Sequence, residues 1–213
     1  MSATAHAELN DVVNGMTNIA FSDAPHPVAY TGYKGYVEAN YTQGIGHLSS
    51  NFVTAATSQG AMITDNIYIG GGIGIDMMWT TIDAGWGEYF KETDKKWDWK
   101  NSVKTAIMIP VFSDFRFVTR HSSTQSSLFL NLRVGCTFLC NDRFVRIGDG
   151  LLTSKEFFYL QPSIGVRVPI NRTKPRQAFD LGVHYRLMTS RYATNWQREA
   201  AINGLGINIS YEW

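Results

Sequence analysis

Residues 66–79 read NIYIGGGIGIDMMW, and this stretch decides the fold. Its aliphatic side chains occupy alternate positions, namely Ile67, Ile69, Ile73, Ile75 and Met77. The positions between them carry Tyr68, Asp76 and glycines. Because successive side chains of a β-strand point to opposite faces, this period of two predicts a strand with one apolar face and one mixed face.

The same period recurs along the chain as far as the C-terminus. Clusters of Gly, Asn, Asp, Ser and Pro separate the alternating segments, as is typical of antiparallel strands joined by turns. No segment with a helical period interrupts them. The sequence predicts eight strands, over residues 33–44, 48–58, 66–79, 103–118, 127–139, 155–170, 178–190 and 204–213.

The polar face of these strands decides which side faces outward. A strand face in water is normally rich in lysine, yet the eight lysines fall in predicted loops or at strand ends. Arginine pairs well with carboxylates in an enclosed space, and an eight-stranded barrel is just wide enough for side chains to fill it. We therefore predict a lumen charge network of five acids and four arginines: Glu38, Asp76, Asp114, Arg116, Arg133, Arg167, Asp180, Arg186 and Glu212.

With the charges inside, the aliphatic face points outward to lipid. A bilayer requires a closed sheet, because an open edge would leave backbone groups unpaired in hydrocarbon. The long connections follow the third, fifth and seventh strands, and short ones follow the second, fourth and sixth, as in outer-membrane barrels. These features predict an all-β fold, an eight-stranded antiparallel up-and-down transmembrane β-barrel over residues 31–213. Residues 1–30 lack a strand pattern and are predicted to be a periplasmic lead-in segment.

Composition narrows the possible functions. The chain has 213 residues and a formal net charge of +1, which argues against nucleic acid as a partner. Cys136 and Cys140 are too far apart along a strand for a disulfide, and no further Cys or His pair has zinc-ligand spacing. We expect no metal and no cofactor. No secretory signal is recognisable at the N-terminus, so we expect that a signal peptide has been removed.

Four segments carry a resemblance to a known family. They are GYKGYVEANYTQGIG (32–46), IYIGGGIGIDMMW (67–79), YLQPSIGVRVPI (159–170) and GLGINISYEW (204–213). Together they resemble the small outer-membrane β-barrel proteins of Bacteroides-type bacteria, which have OmpA-like eight-stranded barrels and largely unassigned functions. The alternation of Ile209, Tyr211 and Trp213 is similar to the C-terminal signal that the outer-membrane assembly machinery reads. The resemblance implies an outer-membrane location, with lipid and that machinery as partners.

Some small outer-membrane barrels are enzymes that act on lipids near the external rim. The candidate groups here are His184 with Ser163 or Ser210, and His47 in the first loop. Catalysis would need a base within hydrogen-bond reach of a nucleophile, and no spacing in the sequence favours such a pair. We predict a non-enzymatic protein, with a rim-active lipid enzyme as one alternative. The other alternative is a soluble lipocalin-like barrel whose apolar face turns inward to hold an apolar ligand.

The loop between the third and fourth strands is the best candidate for surface binding. It places Trp86, Tyr89, Trp97 and Trp99 among charged residues, and such aromatic faces can stack on sugars or anchor a protein. An extended hairpin with cross-paired aromatics explains the same residues without a ligand. A structural or surface-interaction role, with an unknown extracellular ligand, is therefore the functional prediction.

Overall fold

The computed structural model describes residues 32–46, 50–80, 105–119, 125–141, 145–147, 150–152, 154–170, 177–193 and 199–213. Ten strands lie in these ranges: β1 Gly32–Ile45, β2 Ser50–Met62, β3 Ile67–Thr80, β4 Thr105–Val118, β5 Ser127–Leu139, β6 Val145–Ile147, β7 Gly150–Leu152, β8 Glu156–Pro169, β9 Ala178–Ala193 and β10 Glu199–Glu212. No helix among these residues is long and apolar enough to cross a membrane.

The eight long strands form one closed antiparallel barrel. Each pairs with the next in the order β1-β2-β3-β4-β5-β8-β9-β10, and β10 returns to pair with β1. The closing pair runs from Tyr36 opposite Glu212 to Ile45 opposite Asn203 in a single register. The prediction of an eight-stranded antiparallel barrel is therefore confirmed.

Proline interrupts two of the pairings without shifting their register. Between β3 and β4 the ladder stops at Ile73 opposite Val111 and resumes at Asp76 opposite Met108, leaving a break at Pro110. Between β8 and β9 it stops at Leu160 opposite Leu187 and resumes at Ser163 opposite His184, leaving a break at Pro162. Proline has no N–H to donate to a ladder, so each break is local and no bulge is needed.

The short strands β6 and β7 form a hairpin that the sequence did not predict. It lies within the long connection after β5, and Leu151 of β7 pairs with Ala193 of β9. Val145 of β6 is fully buried in the apolar cluster at the long-loop end of the barrel. At the long-loop end, β9 continues beyond its predicted last residue and β10 begins before its predicted first residue.

The two faces of the wall differ as the alternation predicts. On β9, Leu181 and Val183 are exposed, whereas the flanking Asp180 and His184 are buried. The same contrast holds on β3, where Ile75 is exposed and Asp76 is buried. The aliphatic side chains therefore form the outer surface and the charged side chains lie inside.

Candidate functional site: the barrel lumen

The lumen contains all nine residues of the predicted charge network. Each is buried, and each side chain belongs to the inward face of its strand. Lys34 lies with them, so that five carboxylates and five lysine or arginine side chains are buried among the described residues. The buried charges therefore balance, which lowers the cost of placing so many ionised groups away from water.

Eight of these ten charges lie toward the short-turn end, in one group of three and one of five. Glu212 joins Lys34 and Arg167, with its Oε1 2.8 Å from Lys34 Nζ and 2.6 Å from Arg167 Nη2. Asp180 receives a hydrogen bond from Arg116 and another, at 3.1 Å, from the hydroxyl of Ser210. The triad on Glu212 therefore joins β1, β8 and β10, and the contacts of Asp180 join β4, β9 and β10.

Glu38 links Arg116 to Arg133 within the group of five. Its carboxylate lies 3.7 Å from Arg116 and receives two hydrogen bonds from Arg133, one of them at 2.7 Å. Arg133 also lies 3.5 Å from Asp114, which accepts a bond of 2.6 Å from Asn131. Arginine forks thus reach carboxylates on strands across the lumen, and these contacts cross-brace the wall.

The remaining two charges form a separate pair closer to the long-loop end. Arg186 on β9 donates to Asp76 on β3 at 3.1 Å and to Thr54 on β2 at 2.9 Å. Arg186 also donates to the side-chain amide oxygen of Gln161, which accepts a hydrogen bond of 2.6 Å from the hydroxyl of Tyr159. The guanidinium therefore has a carboxylate, a hydroxyl and an amide as partners, consistent with its complete burial.

Aromatic rings cover the faces of the arginines. The guanidinium carbon of Arg116 lies 3.9 Å from the ring centroid of Tyr36, and that of Arg133 lies 4.6 Å from the centroid of Phe112. Phe112 in turn lies over Gly72 on β3, where any side chain would collide with the ring. Glycine in the wall thus makes space for the aromatic side chains that stack on the charges.

An apolar cluster fills the lumen beyond these charges, at the end of the long loops. Its members are buried side chains of several strands: Phe52, Ala56, Met78, Ala106, Met108, Phe112, Leu139, Val145, Phe157, Tyr159, Met188 and Ile202. A smaller cluster of Tyr36, Met62 and Tyr68 lies toward the short turns. The described part of the interior is therefore filled with side chains along its length.

Sequence reasoning missed Lys34 and the apolar cluster. Lys34 lies near the start of β1, as the sequence predicts, but its ammonium group is buried and bound to Glu212. The alternation along β1 could have predicted this burial, because Lys34 is on the same face as Tyr36, Glu38 and Asn40. The apolar cluster was missed because large apolar residues on both faces obscure the alternation near the strand ends.

The described candidate groups, His184, Ser163 and Ser210, do not form a His–Ser pair. His184 is buried, and its Nε2 lies 2.8 Å from the hydroxyl of Thr42. Ser163 is its cross-strand partner, but no hydrogen bond joins the two within the described residues, and Ser210 donates to Asp180 instead. His47 lies outside the described residues. Within those ranges, no group of three His, Cys, Asp or Glu side chains could hold a metal ion.

Of the other predicted site residues, Ile209, Tyr211 and Trp213 lie near the short-turn end of the wall. Trp86, Tyr89, Trp97 and Trp99 fall outside the described residues. Ile209 is exposed on the outer face of β10, and Tyr211 stacks on Trp213 with ring centroids 6.2 Å apart. The indole of Trp213 lies over Gly35 of β1, and the two residues exchange backbone hydrogen bonds of 3.1 and 3.3 Å. Trp213 therefore covers the pairing that closes the barrel.

The fold and the lumen define a closed, all-antiparallel eight-stranded barrel with a side-chain-filled interior. Solved structures similar to it include the N-terminal β-barrel domain of Pseudomonas aeruginosa OprF, with 5% identity and a TM-score of 0.47 over 86% of this chain and 99% of that chain. The outer membrane enzyme PagL has 12% identity and a TM-score of 0.47 over 82% of this chain and 97% of that chain. Neisserial surface protein A has 14% identity and a TM-score of 0.46 over 86% of this chain and 98% of that chain. No family model and no curated protein matches the sequence.

Proposed function

We propose that this chain is an integral β-barrel protein of a bacterial outer membrane, with a structural or surface-interaction role and no enzymatic activity. The observation that carries the proposal is the aliphatic outer surface of a closed barrel. Ile75, Val183 and Leu205 are 61%, 56% and 57% exposed, and similar residues cover the outer face of the other strands. Apolar surface of this extent is unfavourable in water and favourable in lipid.

Aromatic side chains at the two ends of the wall support the same location. Tyr41 and Trp79 lie together near the long-loop end, with ring centroids 6.3 Å apart. Phe179 and Tyr211 lie near the short-turn end at 5.6 Å. Outer-membrane barrels carry aromatic girdles of this kind at both interfaces, with an apolar band between them.

The faces also argue against a soluble lipocalin-like barrel. Such a barrel would enclose an apolar cavity and present polar residues to water. Here the buried charges occupy the lumen, and the aliphatic residues are outside. A lipocalin-like barrel would require the aliphatic residues inside and the charged residues outside.

The filled lumen favours a structural or surface role over transport. Cross-braced ion pairs and apolar clusters occupy the interior, and open aqueous channels are typical of barrels with about 16 strands. Within the described residues His184 is hydrogen-bonded to the Thr42 hydroxyl and to no serine, which supports a non-enzymatic role over the His–Ser pairs considered from the sequence. The aromatic loop of residues 80–102 is the proposed surface for an extracellular ligand. Outer-membrane lipid and the assembly machinery are the proposed partners. A relation of this chain to the small barrels of Bacteroides-type bacteria stays a prediction.

The test is to refold the chain with and without detergent micelles and to compare boiled and unboiled samples by gel mobility. Closed membrane barrels resist SDS until heated, so we expect a heat-dependent shift only after refolding in detergent. A monodisperse folded protein in plain buffer would contradict the membrane location. Absence of hydrolysis of outer-membrane lipids by the folded sample would support the non-enzymatic role.

A further inference from the structure

At Pro110 the barrel wall lacks two residue pairs of the ladder between β3 and β4. We call Gly74 and Ile75 of β3, together with Ile109 and Pro110 of β4, the Pro110 seam. Strand pairing is missing between these residues, although the register on either side is the same. Pro110 closes the seam by packing alone: a Cβ at Gly74 would lie 3.2 Å from Cγ of Pro110 and 3.0 Å from Cβ of Ala56. Small side chains and no ladder hold this part of the wall.

Apolar groups lie on both sides of the Pro110 seam. Outside, Ile75 is 61% exposed, and Val111 is exposed on the adjoining strand. Inside, Ala56, Met108 and Phe112 belong to the apolar cluster that continues to the long-loop end. The carboxylate of Asp76, which follows Ile75 on β3, is bound by Arg186. Apolar residues therefore lie on both faces of the wall beside the missing stretch of ladder.

The second proline break provides a comparison within the same molecule. At Pro162 the missing pairs are those of Gln161 and Pro162 with Arg186 and Tyr185. The side chains behind this break are Gln161 and Arg186, which are buried and hydrogen-bonded. An apolar group entering there would separate a buried charge from its partners at high cost. Of these two breaks in the described strands, the Pro110 seam is the one with apolar side chains behind it.

We propose that the Pro110 seam admits the acyl chain of a membrane lipid from the outer surface into the apolar cluster. The inference rests on the proposed function, because the chain must come from lipid that lies against Ile75 and Val111. Three flexible methionines, Met78, Met108 and Met188, line the receiving cluster. Methionine repacks around an inserted group at low cost, so the cluster can accommodate a chain when the seam parts. The bound ligand is aliphatic, and its polar headgroup stays outside the wall.

The experiment uses the full chain refolded in phosphatidylcholine vesicles that contain a lipid with a diazirine in its acyl chain. After irradiation, mass spectrometry locates the labelled residues. We expect label on the outer residues Ile73 and Val111 and also on the interior residue Met108. Gln161 and Arg186 serve as interior sites that stay unlabelled.

Two matched variants test the route of entry. Pro110→Val restores an N–H to the ladder, so interior label at Met108 should be lost while outer label is kept. Pro162→Val restores an N–H at the other break and should leave the label at Met108 and the outer label unchanged. Label at Met108 that persists in Pro110→Val would overturn the proposed route. If that variant does not refold, the wild-type pattern decides, because outer label without label at Met108 overturns the inference. Absence of outer label as well would instead contradict the membrane location.

Discussion

Nη2 of Arg133 on β5 lies 2.7 Å from Oε2 of Glu38 on β1, so one ion pair spans the lumen between strands that are not neighbours in the sheet. Sheet hydrogen bonds fix each strand only to its two neighbours. The pair between Arg133 and Glu38 fixes the distance across the barrel as well. It thus opposes flattening of the wall, which adjacent pairing alone permits.

Arg133→Ala should destabilise the folded barrel by about 3–5 kcal/mol, because it leaves the Glu38 carboxylate buried with a weaker partner. Urea titration in detergent micelles, followed by gel mobility, measures the change. The double variant Arg133→Leu with Glu38→Leu removes both charges and should lose less stability than the single variant. Equal losses in the two would contradict a buried pair.

Lys34→Met should cost less stability than Arg167→Met. Glu212 keeps its bonds to Arg167 in the first variant, whereas the second removes the partner that binds it through Nε and Nη2. The same urea titration ranks the two variants. A larger loss for Lys34→Met would show that the ammonium group is the main partner of Glu212.

An arginine on the outer wall should be costly according to its depth in the bilayer. Leu132→Arg or Val183→Arg should destabilise the barrel by about 2–4 kcal/mol near the midplane, and Ile170→Arg near the short-turn end by about 0–1 kcal/mol. Refolding titrations in vesicles provide the comparison. Equal tolerance at all three positions would argue that the outer face is in water.

Gly35→Leu should weaken the closing pair of strands. A Cβ at this position would lie 2.5 Å from the Trp213 indole, so the ring must leave β1, and overpacking of this kind costs about 1–3 kcal/mol. Gly71→Ala is the matched control, because this outer-face glycine has only one atom near its Cβ position, at 3.9 Å. The temperature of the gel-mobility shift should fall for the first variant and stay unchanged for the second.

The strands and their faces could be predicted from the sequence because alternation is a local property. Asp180, His184 and Arg186 were all placed on the inward face of one strand, and they lie there. The partners of each charge could not be predicted. Whether Arg116 meets Asp180 or Arg186 meets Asp76 depends on how the closed sheet brings distant strands together across the lumen.

The hairpin of β6 and β7 escaped prediction for a different reason. Each strand has only three residues, which is too short for a period of two to be recognised. Lys34 does lie at a strand end, but its burial could not be predicted, because only its ion pair with Glu212 shows why a lysine is tolerated inside.

The constant register of the strand pairings has a consequence for how this chain can vary. Inward positions are even-numbered on β1 to β4 and odd-numbered on β5. Inserting one residue in the middle of β2 would move Thr54 out to the lipid side or bring Val53 into the lumen, depending on which end shifts. A two-residue insertion would keep both faces and displace the pairing along the strand. Length changes within the wall should therefore be tolerated in steps of two, whereas connections between strands can change by single residues.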